Sequence, residues 1–187
     1  MNIFDDLLAL MERKESHPYP AHEYTLIPAE EVPFEEGVRK ACEANYCGKY
    51  GTCWTCPPGV GDWQMWRDKL HAYDKALIFS TRHELEDSFD IEGMAEGHLQ
   101  HKKLAQMMFA FLQSRQADFC FLGAEGCDLC EKCTYPTSPC RFPDKASPSI
   151  EACGVNVVAL TQKCGIHYIN GMNTVTYFSA VFLRQAH

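Results

Sequence analysis

The sequence predicts an α+β fold, an α/β sandwich in which a mixed β-sheet is covered by helices and two cysteine-rich metal-binding loops gather at one edge or end. Three observations carry this expectation. Short apolar runs rich in β-branched and aromatic residues recur along the chain. Amphipathic helical stretches lie between them without a clean repeat, and two segments dense in cysteine, glycine and proline interrupt the pattern. At 187 residues the chain can bury a real core but not two comfortable ones, so residues 1–187 are read as a single cysteine-rich metal-binding domain.

The opening places Phe4, Leu7, Leu8 and Met11 at the i, i+3, i+4, i+7 spacing of one helix face. A short strand follows from Tyr24 to Ile27. A helix is then expected from Phe34 to Asn45, with Phe34, Val38 and Ala41 on one face and Cys42 near its end. Between Cys47 and Gly61 the Pro57-Pro58 pair can neither continue a helix nor join a central strand, so this is an ordered loop. Trp63, Trp66 and Leu70 mark a short helix, and Ala76 to Phe79 a buried strand.

Glu84 to Glu96 is acidic and poor in periodic apolar residues, which predicts an exposed connection. The next helix carries Leu104, Met107, Met108, Phe111 and Leu112 on one face; the methionines there read as packing. His98 and His101, just before it, read as a solvated face. Phe119 to Leu122 is a short apolar strand that runs into the densest cysteine segment, Gly126 to Cys140. Ser147-Pro148 predicts a helix start with proline at the first helical position, Gly165 a helix stop, and Val175 to Leu183 a central strand.

A formal charge of −8 argues against a general electrostatic grip on nucleic acid or on an anionic membrane. The first residues, Met1 to Asp6, carry acids where a signal peptide needs positive charge. No stretch approaches the roughly 18 apolar residues of a membrane span, so a cytoplasmic location is expected. The 11 cysteines must then be explained without stable disulfides, and metal binding is the leading account.

Cys127, Cys130 and Cys133 stand at two successive x2 spacings, with Cys140 beyond them. A zinc site takes two ligands from each of two Cys-x2-Cys turns, whereas three thiolates in one tight turn suit a cubane whose fourth cysteine arrives from farther away. The triplet therefore favours iron-sulfur over zinc. A second loop holds Cys42, Cys47, Cys53 and Cys56, whose thiolates would repel unless a cation or cluster neutralised them. Cys120, inside an apolar strand, and Cys164, at a helix end, read as small buried hydrophobes. Cys153 is a candidate ligand because the adjacent Gly154 lets backbone approach a cluster closely.

Three motifs together resemble a family of metal-binding proteins known as domain-of-unknown-function family 2284, found largely in anaerobic bacteria and archaea. They are Cys42-x4-Cys47-x2-Tyr50-Gly51-x2-Trp54-x-Cys56-Pro57-Pro58, Cys127-x2-Cys130-x2-Cys133-x6-Cys140, and Pro148-Ser149-Ile150-Glu151-Ala152-Cys153-Gly154. The resemblance implies metal or cluster binding without an established reaction. Cys53 lies outside the family pattern and ranks below its neighbours. The expected metal ligands are therefore Cys42, Cys47, Cys56, Cys127, Cys130, Cys133, Cys140 and Cys153, enough thiols to close two cubanes.

One or two 4Fe-4S clusters passing electrons to a redox partner protein is the leading expectation, and no nicotinamide or phosphate motif is present. A cluster-dependent enzyme with an open iron site is one alternative, with Tyr50, Arg141 and His167 as the nearest acid-base or anion-binding candidates. A zinc-stabilised interaction module is the other, with Trp54, Trp63 and Trp66 as anchors.

Overall fold

The computed structural model describes residues 3–12 and 17–184. Its frame is a four-stranded sheet of β1 (Glu23–Pro28), β2 (Lys75–Glu84), β3 (Phe119–Leu122) and β4 (Thr174–Leu183) in the order β1-β2-β4-β3. The register sets Ile78 against Thr25 on one side and Ala180 on the other, and Ala180 also meets Leu122. All three pairings are antiparallel, so the expected mixed sheet is corrected to an antiparallel one. β2 and β3 do run in the same direction, but the last strand enters between them in the opposite sense and separates them.

Period-2 alternation loads both faces of the sheet. Leu77, Phe79, Phe121, Val181 and Leu183 face α1 (Ile3–Glu12) and α4 (Ile91–Ser114), where Phe4, Leu7, Met11, Leu104, Met108 and Leu112 complete one core. Ala76, Ile78, Leu122, Ala180 and Phe182 point the other way. They meet Leu70 of α3 (Trp63–His71), Val157 and Leu160 of α5 (Val157–Cys164) and the 3₁₀ turn Glu151–Cys153. The result is the expected helix-covered α+β sandwich. Full burial of one such leucine is worth about 1.5–3 kcal/mol. Among the described residues no helix is long and apolar enough to cross a membrane.

Two boundaries differ from the sequence reading. The acidic connection is not exposed coil to Glu96: β2 runs to Glu84 and α4 already begins at Ile91. Asp90 caps that helix, accepting the Gly93 N–H at 2.8 Å and the Glu86 N–H at 3.0 Å. The buried stripe of α4 starts with Gly97 and His101, residues that carry no apolar signal. Pro148 does not open a helix either. It is buried where residues 123 and 149 bridge, with the Gly123 N–H on its carbonyl at 2.8 Å. α5 starts later, at Asn156, whose side chain accepts the Ala159 N–H at 3.0 Å, and it stops at Gly165 as expected, with φ +68°.

The first cysteine loop falls in the β1–β2 connection, after α2 (Glu36–Glu43), and the second in the β3–β4 connection. Backbone bonds stitch the two connections together: Glu35 N–H to Gly154 O at 2.9 Å and Asn156 N–H to Pro33 O at 3.1 Å. Phe34, expected on the α2 face, instead bridges Val155.

Candidate metal centre

The first loop begins at the last turn of α2, which carries Cys42. Arg39 fixes that helix by donating to Ala152 O at 2.6 Å and Gly61 O at 2.8 Å, so one guanidinium ties it to the 3₁₀ turn and to the far end of its own loop. The chain then reverses repeatedly. Asn45 accepts the Tyr50 N–H at 2.9 Å, and Gly48 and Gly51 take φ +71° and +70°, values that favour glycine. A tight turn from Cys53 O to Cys56 N, 3.4 Å, sets those two side chains next to each other.

The second loop is pinned at its base by the paired bonds Gly123 N–H to Pro148 O and Ile150 N–H to Gly123 O, at 2.8 and 3.1 Å. Within it the Arg141 guanidinium donates to Lys132 O at 2.9 Å and the Thr134 hydroxyl to Pro139 O at 2.8 Å. These bonds draw the stretch carrying Cys130 and Cys133 toward Cys140.

The two loops, expected to gather at one edge or end, pack one against the other. Thr55 is the joint: its hydroxyl accepts the Cys127 N–H at 3.0 Å and lies 3.5 Å from Cys53 Sγ. Trp54 donates its indole N–H to Ser138 O at 3.0 Å and meets the Tyr135 ring edge-on at 4.9 Å. A Cβ on Gly126 would stand 2.8 Å from Cys56 Sγ, so only a residue without a side chain allows this approach.

Cys53, Cys127, Cys130, Cys133 and Cys140 line one small cavity of about 20 Å³ where the loops meet. Cys56 touches Cys53 from the first loop, and Cys42 and Cys47 are near enough to Cys56 to bear on its ionisation. Cys53, ranked low from the sequence, is thus the residue that connects both groups. Cys153 is placed elsewhere. It is 0 % exposed within the core between α3 and α5, with Cys120 among its neighbours, and does not line the cavity. Cys120 and Cys164 pack against the same core, as expected of small buried hydrophobes.

Electrostatics separates these groups. The Cys56 thiol donates to Cys53 Sγ, and the Thr55 hydroxyl and the Thr55 and Cys56 backbone N–H groups also point at that sulfur, which holds Cys53 well below the usual thiol range. Cys56 is pushed up as the donor of that bond. Burial raises Cys127, opposed by the Leu129 N–H on its sulfur. Burial is the main cause that pushes Cys164 up to about 11 and Cys153 well above the ordinary value. Backbone N–H groups aimed at Cys53 and Cys127 favour thiolate, the form that binds metal.

The donor set tests which metal fits. Every ionisable side chain lining the cavity other than Arg141 is a cysteine, a soft ligand set that suits zinc or iron-sulfur and not calcium or magnesium. One tetrahedral zinc needs its sulfurs roughly 3.8 Å apart, given bonds of about 2.3 Å. Among the described residues no three Cys, His, Asp or Glu side chains form such a point-like group.

Of the other polar candidates, Arg141 lines the cavity and is spent on Lys132. His167 lies away from it, on the Glu23 carboxylate at 2.8 Å. Trp66 donates to Val60 O at 2.8 Å and packs against the core. A buried polar chain was missed altogether. His101, read as solvated, is 1 % exposed, with Nδ1 2.8 Å from Thr81 Oγ1 and Nε2 2.8 Å from Ser179 Oγ. His83 meets the same threonine hydroxyl at 2.9 Å. Only the i, i+4 step from Gly97 to His101 to Ala105 could have signalled that this face turns inward.

Fold and site together define a cysteine-rich metal-binding protein built on a helix-covered antiparallel sheet. The chain belongs to the family described as predicted metal-binding protein (DUF2284), whose model matches residues 25–183. No curated protein and no solved structure matches it.

Proposed function

We propose that the paired loops hold one or two 4Fe-4S clusters and that the protein passes single electrons to a partner redox protein. The observation that carries this reading is the junction itself, where Cys53 of the first loop joins Cys127, Cys130, Cys133 and Cys140 of the second around one cavity. A triplet plus a remote cysteine is the pattern by which a cubane is held, and backbone N–H groups on cluster sulfurs are a lever on reduction potential. The proposal takes Cys42, Cys47, Cys53 and Cys56 with Cys127, Cys130, Cys133 and Cys140 as the ligand pool, with Cys53 in the role first expected of Cys153. Cys47 and much of the surrounding loop are exposed, which would leave a cluster within reach of a docking partner. A net charge of −8 favours a partner with a basic face.

Iron, zinc and acid-labile sulfide per chain, measured on protein purified without oxygen, test the reading. The expected result is about four or eight irons with matching sulfide and a reducible EPR signal. Stoichiometric zinc without sulfide, persisting after anaerobic reconstitution, would overturn it in favour of a structural module.

A further inference from the structure

A much larger cavity, about 440 Å³, opens beside the thiol junction, and Cys127 and Leu129 line both. It lies between the second loop and α4. We infer that this cavity binds a small amphipathic carboxylate, an aryl or alkyl acid whose apolar body enters between α4 and the loop and whose anionic head stays at the lysine-lined rim.

The size falls within the roughly 300–1,000 Å³ of small-molecule sites. The body of the ligand is argued from Ala105 and Phe109 of α4, Phe121 of β3 and Leu129 of the loop, which form an apolar wall. The two phenyl rings pack edge-on at 5.9 Å and so present a fixed surface. Deeper in, His101 and Ser179 bond to each other, a polar but uncharged patch that offers no counter-charge to a cationic ligand.

The head group is argued from charge. Three lysines (Lys49, Lys102, Lys145) and two carboxylates (Glu125, Asp128) line the cavity, 3 − 2 = +1, in a chain whose net charge is −8. The compensation is uneven. Lys102 is paired with Asp128, and Glu125 faces His98 at 3.6 Å. Lys49 and Lys145 have no ion-pair partner among the described residues. They come from different loops, and the Lys49 stem lies against Gly126, 3.7 Å from where a Cβ would be. Two uncompensated ammonium groups over an apolar wall suit a ligand with one anionic end. The cavity and its lysines are the same whichever metal the loops hold.

Calorimetric titration of the full chain, as purified without oxygen, with 4-phenylbutyrate, 4-phenylbutanol and 4-phenylbutylamine tests it. Saturable one-site binding of the acid is expected, about tenfold tighter than the alcohol and tighter still than the amine, since two exposed lysines each give a partly screened contact and together reach the scale of a tenfold step. The Lys49→Gln/Lys145→Gln double variant should lose about tenfold for the acid and nothing for the alcohol. Ala105→Trp, which fills the cavity from a helix outside the cysteine loops, should abolish binding while metal content and the thermal unfolding profile stay those of the parent. No binding of the acid, equal binding of all three compounds, or undiminished binding by a folded Ala105→Trp protein would each overturn the proposal.

Discussion

His101 should make the fold acid-sensitive in a way that one substitution removes. Its ring is 1 % exposed, stacks on Phe79 at 5.5 Å and bonds to the Thr81 and Ser179 hydroxyls, neutral groups that bring no counter-charge to an imidazolium. Burial, with His98 and His83 nearby, holds its pKa down to about 3. The folded value lies below the unfolded one of about 6.5, so between these limits the unfolded chain takes up a proton that the native chain refuses. The contribution is complete above about pH 6.5 and is lost progressively as pH falls toward 3. At pH 5 the loss is about 1.5 pH units at about 1.4 kcal/mol each, or about 2 kcal/mol. Urea unfolding of the parent and of His101→Gln at about pH 7 and pH 5 isolates this contribution, because the other groups titrate alike in both proteins. The variant starts less stable, having lost the ring stack, but its drop between the two conditions should be smaller by about 2 kcal/mol. Equal drops, or an NMR titration showing His101 protonated with an ordinary midpoint in the folded chain, would show that burial does not keep the ring neutral.

Cys53→Ser should lower metal and sulfide per chain, because Cys53 touches both thiol groups, whereas Cys164→Ser, in the α5 core, should leave both unchanged; elemental analysis of the two variants decides. Gly154→Ala should destabilise by about 2–4 kcal/mol, since φ is +91° and the new Cβ would lie 2.7 Å from Trp63 Cβ, read as a shift of the urea midpoint. Removing metal with a chelator under reducing conditions should raise amide exchange in residues 124–148 while β2 and β4 stay protected; uniform loss of protection would show that the loops and the sheet unfold together.

The sandwich was legible because the apolar runs Ala76–Phe79 and Val175–Leu183 and the helical stripes of α1 and α4 are local patterns that the packed faces reuse directly. Sheet direction was not, because nothing local to β4 reveals that it inserts between β2 and β3. The start of α5 was misread for a related reason. Pro148 carries the signal of a first helical residue, yet its carbonyl serves the Gly123 bridge that closes the second loop. For the site, spacing singled out Cys127, Cys130, Cys133 and Cys140, which share one loop and line one cavity. Cys53 could not be ranked from spacing, because its importance comes from the Thr55 and Trp54 bonds to a loop more than seventy residues away, |i−j| being 72 and 84. His101 was misplaced because a histidine on a helix resembles a surface residue until both of its nitrogens find buried hydroxyls.

The distribution of apolar contacts explains why such a fold would use metal at this place. Neither core draws a residue from 124–148; Leu122 and Ile150 are the last core contributions on either side of that loop. Ordering it costs conformational entropy of about 1–2 kcal/mol per residue, which hydrogen bonds of about 1 kcal/mol each offset only in part. The first loop is little better supplied, with Cys53, Thr55, Cys56 and Pro57 as its buried residues. Metal-thiolate bonds act where apolar burial is lacking, and binding free energy there is also ordering free energy. The sheet's part is to bring the loop bases into register through the Phe34–Val155 and Gly123–Ser149 bridges, so that cysteines from two distant connections face one cavity. The core therefore fixes where the loops stand, and order in the second loop, which walls both cavities, is what a metal bound there would add.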